Sequence, residues 1–239
     1  MTAANPSIAF DRFIRLEWIA QALKVRSGQI AVDDLEDYLD RAGLGKEARV
    51  KLKTKLKVLC LEPRPNLENF LSRGIQITGP TTSIADVLPF AWGAVITNYP
   101  FFAQVAELVG RLSSIQGDCA PVEVHRRMSE KYGERHNVKV ATRAAIQTLV
   151  DWSVVIRHED EKRLTPAPKI TVGNPESVLW LIEALVRHAG KPLSLEGIKS
   201  VPMIFPFHFD ASLPYLVANS QYLDLSVGGS NQQVVALHD

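Results

Sequence analysis

Residues 119–167 read CAPVEVHRRMSEKYGERHNVKVATRAAIQTLVDWSVVIRHEDEKRLTPA. Pro121 suits the first turn of a helix, where its missing N–H costs nothing. Val122, Val124 or His125, and Met128 form the inward side of that helix. Tyr132-Gly133 ends it, because glycine reaches the left-handed conformation without penalty. A second helix, about Val138 to Trp152, places Ala141, Ala145, Leu149 and Trp152 on one stripe at spacings of four, four and three. Lys139, Thr142, Arg143 and Gln147 fall on its other side. Val154-Val155-Ile156 reads as a strand, Glu159–Lys162 as a turn and Arg163–Thr165 as the start of the return strand.

Two helices followed by a hairpin make the order of a winged helix-turn-helix, and residues 100–168 resemble that module. In it the second helix lies in a DNA major groove while its back packs on a core. Arg143 and Gln147 suit paired hydrogen bonds to guanine and adenine edges, and Lys139 and Thr142 suit phosphates. Arg126 and Arg127 are expected to touch the DNA backbone, with Arg157, Lys162 and Arg163 flanking a groove. The hairpin tip opposes this reading, since Glu159, Asp160 and Glu161 would repel phosphates.

Outward from this segment the pattern divides the chain into three parts: residues 1–75, 76–168 and 169–239. The first reads as helical from residue 7 to 72, with Phe10, Phe13, Ile14, Ile19 and Leu23 near helical spacing and a stop at Gly28. Asp33 or Asp34 caps the next helix, and a third, about Lys46 to Cys60, puts Leu52, Leu56 and Leu59 on one stripe. The second part carries a connector, a helix at Ile84–Ile96, and an amphipathic helix at Phe101–Ile115 that leads into the winged segment. The third begins after a connector at Pro168–Pro175 with a helix, Ser177–Ala189. It ends in a glycine-turned hairpin, YLDLSV–GGSN–QQVVALHD. No internal repeat is visible. The expected fold class is mainly α with small β: a helical N-terminal region, a central winged helix and a small α+β C-terminal unit.

The chain has 239 residues, 46% of them hydrophobic and 22% charged, as in ordinary globular proteins. Its longest apolar run, PFAWGAVI at Pro89–Ile96, is far below the roughly 20 residues a membrane span needs. The N-terminus shows no signal peptide, and Cys60 and Cys119 stand alone as buried thiols would in a cytoplasmic protein. Net charge is +1, but cations are concentrated. Between Arg41 and Lys57 seven Lys or Arg face one acid, Glu47, so Arg49, Lys51, Lys53, Lys55 and Lys57 form a candidate second basic patch. The competing reading is a solvated helix face.

Catalytic and metal motifs are missing. No GxxxxGK[ST], GxGxxG, HExxH or GxSxG occurs, and the six histidines are scattered. The DDLED run at Asp33–Asp37 reads as a solvated helix start, and Phe205-Pro206-Phe207-His208-Phe209 as core. No catalytic residue, metal or cofactor is expected.

The layout, together with the helix YPFFAQVAELVGRL from Tyr99 to Leu112, resembles the small DNA-binding BrxA-type proteins of bacterial phage-exclusion (BREX) islands. The run RRMSEKYGERHNVKVATRAAIQTLVDW looks like the signature of a bacterial family. The resemblance implies a bacterial, cytoplasmic setting and a role in phage defence or transcription regulation, and it transfers no catalytic residues. The expected function is non-enzymatic binding of double-stranded DNA, with proteins of a defence or regulatory complex as further partners. A single winged domain covers little groove, so a homodimer or a second contact region is a natural extension. The alternative is an adaptor whose winged helix and C-terminal unit bind a protein.

Overall fold

The structure, a computed structural model, describes residues 8–79, 83–158, 160, 162–228 and 232–238. It is mainly α with small sheets. The N-terminal part holds α1 (Leu16–Arg26), α2 (Val32–Asp40), α3 (Lys46–Leu56, prolonged by a π-helical turn Lys57–Leu61) and α4 (Glu68–Thr78). Gly28, at φ +72°, turns the chain after α1. The Asp34 carboxylate accepts the Ala31 N–H at 2.8 Å, so the acid expected at the start of α2 does cap it, from inside the first turn.

Residues 8–15 differ from the helical reading. They form an extended lead-in whose Phe10 and Ile14 are fully buried. The lead-in gives its backbone to a distant helix, α8 (His136–Asp151), instead of to a helical turn of its own. Ile14 N–H donates to Thr148 Oγ1 at 3.1 Å, and Leu16 N–H to the Asp151 carboxylate at 3.2 Å. In return the Trp152 indole N–H donates to the Ile14 carbonyl at 2.9 Å.

The centre is built from α5 (Ile84–Asn98), α6 (Pro100–Gln116) and α9 (Pro175–Ala189). The apolar run at Pro89–Ile96 lies within α5, and all but one of its residues are buried. Trp180 of α9 stacks on Phe70 with centroids 4.4 Å apart. Its ring also lies against Gly74 and Gly93, where a Cβ would overlap it. Gly110 on α6 likewise admits the backbone of Pro202.

On this centre stand two small units. In the first, α6 leads through a single bridge at Cys119 into α7 (Pro121–Tyr132), α8, and the hairpin β1 (Val155–His158) and β2 (Arg163–Pro166). Cys119 pairs with Leu164 of β2, and β2 pairs antiparallel with β1, so the chain order across the sheet is first, third, second. After β3 (Ile170–Thr171), in the stretch read as a connector, the second unit begins with α9. It continues through β4 (Leu193–Ser194), α10 (Leu195–Ile198), β5 (Phe207–His208), α11 (Leu213–Ala218), β6 (Leu223–Val227) and β7 (Gln233–Leu237). β5 pairs parallel with β3, and the remaining sheet has the order β4–β7–β6, again first, third, second. The two units therefore share one path, helix, strand, helix, helix, hairpin, with β5 inserted between the two later helices of the second unit. The repeat is invisible in the sequence because β4 has two residues and α10 four, too short to show periodicity. Among the described residues no helix is long and apolar enough to cross a membrane.

Candidate nucleic-acid interface

The first unit presents a groove of about 480 Å³ between α7, α8 and the hairpin. Pro121, Val122 and His125 form its wall on α7, Lys139 and Arg143 on α8, and Arg157 and Lys162 on the hairpin. Among the described residues that line it, Lys139, Arg143, Arg157 and Lys162 are cationic and none is a carboxylate. The geometry follows from the helix periods. The buried stripe Val138, Ala141, Ala145 and Leu149 seats α8 on α6 and α7. Lys139, Arg143 and Gln147 are then left exposed along its outer side. Neither Lys139 nor Arg143 forms an ion pair with a described residue. Burial, with Arg143 and Lys139 beside it, holds the His125 ring below the ordinary histidine range, so it is neutral at neutral pH. Lys162 sits at the hairpin turn with φ +50° and is exposed.

Several expected site residues fall elsewhere. Thr142 is fully buried, and its hydroxyl donates to the Val138 carbonyl at 2.8 Å, so it faces no ligand. It follows Ala141 and so lies at the rim of the stripe that packs, and its own helix satisfies the hydroxyl. Arg126 and Arg127 are held by their own helix. Arg126 binds Glu123 at 2.7 Å and also Glu130, and Arg127 binds Glu123 at 2.7 Å. The two guanidiniums, Arg126 first, hold the Glu123 carboxyl down to about 2. Arg163 makes a two-point contact with Asp118, tying β2 to the segment before Cys119. Of the acidic tip, Asp160 is exposed, and Glu159 and Glu161 lie outside the described residues.

The second basic patch is also neutralised in place. Arg49 pairs with Asp40, Lys51 with Asp11 at 3.3 Å and Glu47 at 3.1 Å, Lys53 with Glu36 at 2.8 Å, and Lys57 with Glu62 at 2.9 Å. Lys55 is buried, against the surface reading. It donates to the Ala9 carbonyl at 2.6 Å, pairs with Asp11 at 3.1 Å and lies over the rings of Phe10 and Tyr99. A larger cleft, about 530 Å³, opens among α1, α2 and α3, but its Lys53 and Lys57 are those already paired and its floor is leucine and valine. Lys139 and Arg143, which pair with no described acid, line the groove and not this cleft.

Pro121, Val122 and His125 join the groove beyond the residues expected from the sequence. Val122, expected on the inward side of its helix, is 74% exposed in the groove wall. The available signal was the i, i+3 spacing of Val122 and His125, which marks one side of α7. Ile115, the last residue of the amphipathic helix expected at Phe101–Ile115, is 78% exposed near the end of α6. Both cysteines are buried free thiols. Among the described residues no three His, Cys, Asp or Glu gather as a metal site would require. Compared with protein-family models, with curated proteins and with solved structures, the chain matches none.

Proposed function

We propose that the first unit is a winged helix that binds duplex DNA through the α7–α8–hairpin groove, without catalysing a reaction. The observation that carries this reading is the pair Lys139 and Arg143, exposed on α8 at the groove and matched by no described acid, with Arg157 and Lys162 on the facing hairpin. A polyanion entering it meets charges that no internal partner has neutralised on α8, and each phosphate contact contributes a salt-dependent gain. The element order and the sheet order, first, third, second, support the winged assignment. Arg143 and Gln147, one turn apart on the exposed side of α8, are placed to address base edges, while Lys139, Arg157 and Lys162 flank them as phosphate contacts. Val122 offers an apolar surface of the kind that meets a thymine methyl group. A cytoplasmic role in phage defence or transcription regulation fits such a reader.

The test is duplex DNA binding against salt concentration for wild type and for Lys139→Ala with Arg143→Ala, with circular dichroism to show that the variant folds. Binding that falls steeply with salt and is lost in the folded variant supports the reading. Binding that survives the double substitution, or no binding at low salt, overturns it.

A further inference from the structure

β6 lies at the open edge of the sheet β4–β7–β6. The bonds at its two ends fix which of its backbone groups face outward. His238 N–H donates to the Tyr222 carbonyl at 3.0 Å, and Gly228 N–H to the Gln232 carbonyl at 2.8 Å. Given the register from Leu223↔Leu237 to Val227↔Gln233, residues 222, 224, 226 and 228 are the ones bonded to β7. The amides and carbonyls of Leu223, Leu225 and Val227 point away from the sheet, and none has another backbone partner among the described residues. Natural edges are blunted by lysine, proline, bulges or a covering segment. β6, LDLSV, has neither lysine nor proline, pairs without a bulge, and ends in Val227, which is 64% exposed.

We infer that β6 is a self-association edge: it pairs antiparallel with β6 of a second copy of this chain, about a two-fold axis through Leu225. The two three-stranded sheets then become one of six strands. Such a contact must be complementary to itself. With Leu225 opposite Leu225, Leu223 meets Val227, Asp224 meets Ser226 and Tyr222 meets Gly228. No like charges stand directly opposite one another, and Asp224, which binds His238 of its own chain at 2.7 Å, meets the neutral Ser226. The outward groups of Leu223, Leu225 and Val227 exchange their hydrogen bonds with the second copy, and each exposed Val227 lies beside the edge of the other copy's core. α11, which precedes β6, carries no charge and exposes Tyr215 at 70%. This pairing does not rest on the nucleic-acid reading.

The test uses the full chain. Sedimentation velocity across a wide concentration range gives the mass, and residue-resolved hydrogen exchange reads the edge amides. Val227→Pro removes an outward donor without breaking a bond to β7, a position where edge strands accept proline. Val227→Lys leaves the backbone intact and places a charge at the seam. The expected result is a dimer whose Leu223, Leu225 and Val227 amides are protected together with those of Asp224 and Ser226. Val227→Pro then gives a monomer, and Val227→Lys raises the dissociation constant about tenfold or more. A wild type that stays monomeric overturns the proposal. So does a dimer whose edge amides exchange freely, or one that Val227→Lys leaves unchanged. If Val227→Pro fails to fold, the lysine variant and the exchange pattern decide.

Discussion

Residues 100–166 and 175–237 follow one chain path and present opposite surfaces. In the first unit the second helix, α8, is long, and it exposes Lys139, Arg143 and Gln147 beside a hairpin that adds Arg157 and Lys162. In the second unit the corresponding helix, α11, is a six-residue LPYLVA with no charge, beside a hairpin whose Asp224 is taken by His238 at 2.7 Å. The shared path is set by burial alone: each leading helix, α6 or α9, goes into the common core, and each sheet closes over its own helices. What the surface does is then free to differ, because exposed positions contribute little to choosing the fold. Path and function are thus written by different residues in each unit.

The largest expected effect tests whether the two units share one core. Trp180→Ala removes the ring that packs on Phe70, Gly74 and Gly93, and should cost about 4 kcal/mol. Calorimetry should show both units melting together at a lower temperature; two separate transitions would break the picture of two surfaces on one folding unit. Next is the charge contrast. Lys139→Glu with Arg143→Glu should weaken duplex binding roughly a hundredfold and lower the salt slope by about two. Lys199→Glu, on the second unit, should leave affinity within about twofold, and an equal loss from both would erase the distinction.

A smaller effect separates the units by pH. Burial, first, holds both His125 and His188 below the ordinary histidine range, helped at His125 by Arg143 and Lys139 and opposed at His188 by the Ile96 carbonyl. Each binds fewer protons folded than unfolded. Their stability contribution is therefore complete above the unfolded value, about 6.5, and falls as pH drops below it. His125→Gln should remove part of that acid sensitivity in denaturation curves. Added duplex should raise the His125 value and leave His188 in place, which NMR titration of the two rings can read. The smallest effect is Thr142→Val, which should change duplex binding by less than about twofold, because that hydroxyl is spent on Val138.

The helices and hairpins were legible where a period ran long enough. The stripe Ala141, Ala145, Leu149, Trp152 and the paired strands 223–227 and 233–237 both stand in the structure as read, while residues 229–231 of the glycine turn lie outside the described residues. The kinship of the two units was not legible, since two-residue β4 and four-residue α10 carry no pattern. At the site, Lys139 and Arg143 could be found from helical side, but Thr142 sits at the stripe's rim, where one helical step separates buried from exposed. The capture of Arg126 and Arg127 was present in the sequence. Glu123, Arg126, Arg127 and Glu130 stand three and four apart, the spacing at which helix side chains meet. Lys55 was hidden for another reason: its partners Ala9, Asp11 and Tyr99 are brought to it only by the tertiary fold.

The lead-in at residues 10–16 has a thermodynamic consequence for the groove. Its bonds to Thr148, Asp151 and Trp152 clamp the last turn of α8 to the N-terminal helices. The helix that carries Lys139 and Arg143 is therefore denied rocking freedom before any ligand arrives. Orientational entropy that a loosely mounted helix would lose on association is given up at folding instead, so a larger share of each contact made there appears as affinity.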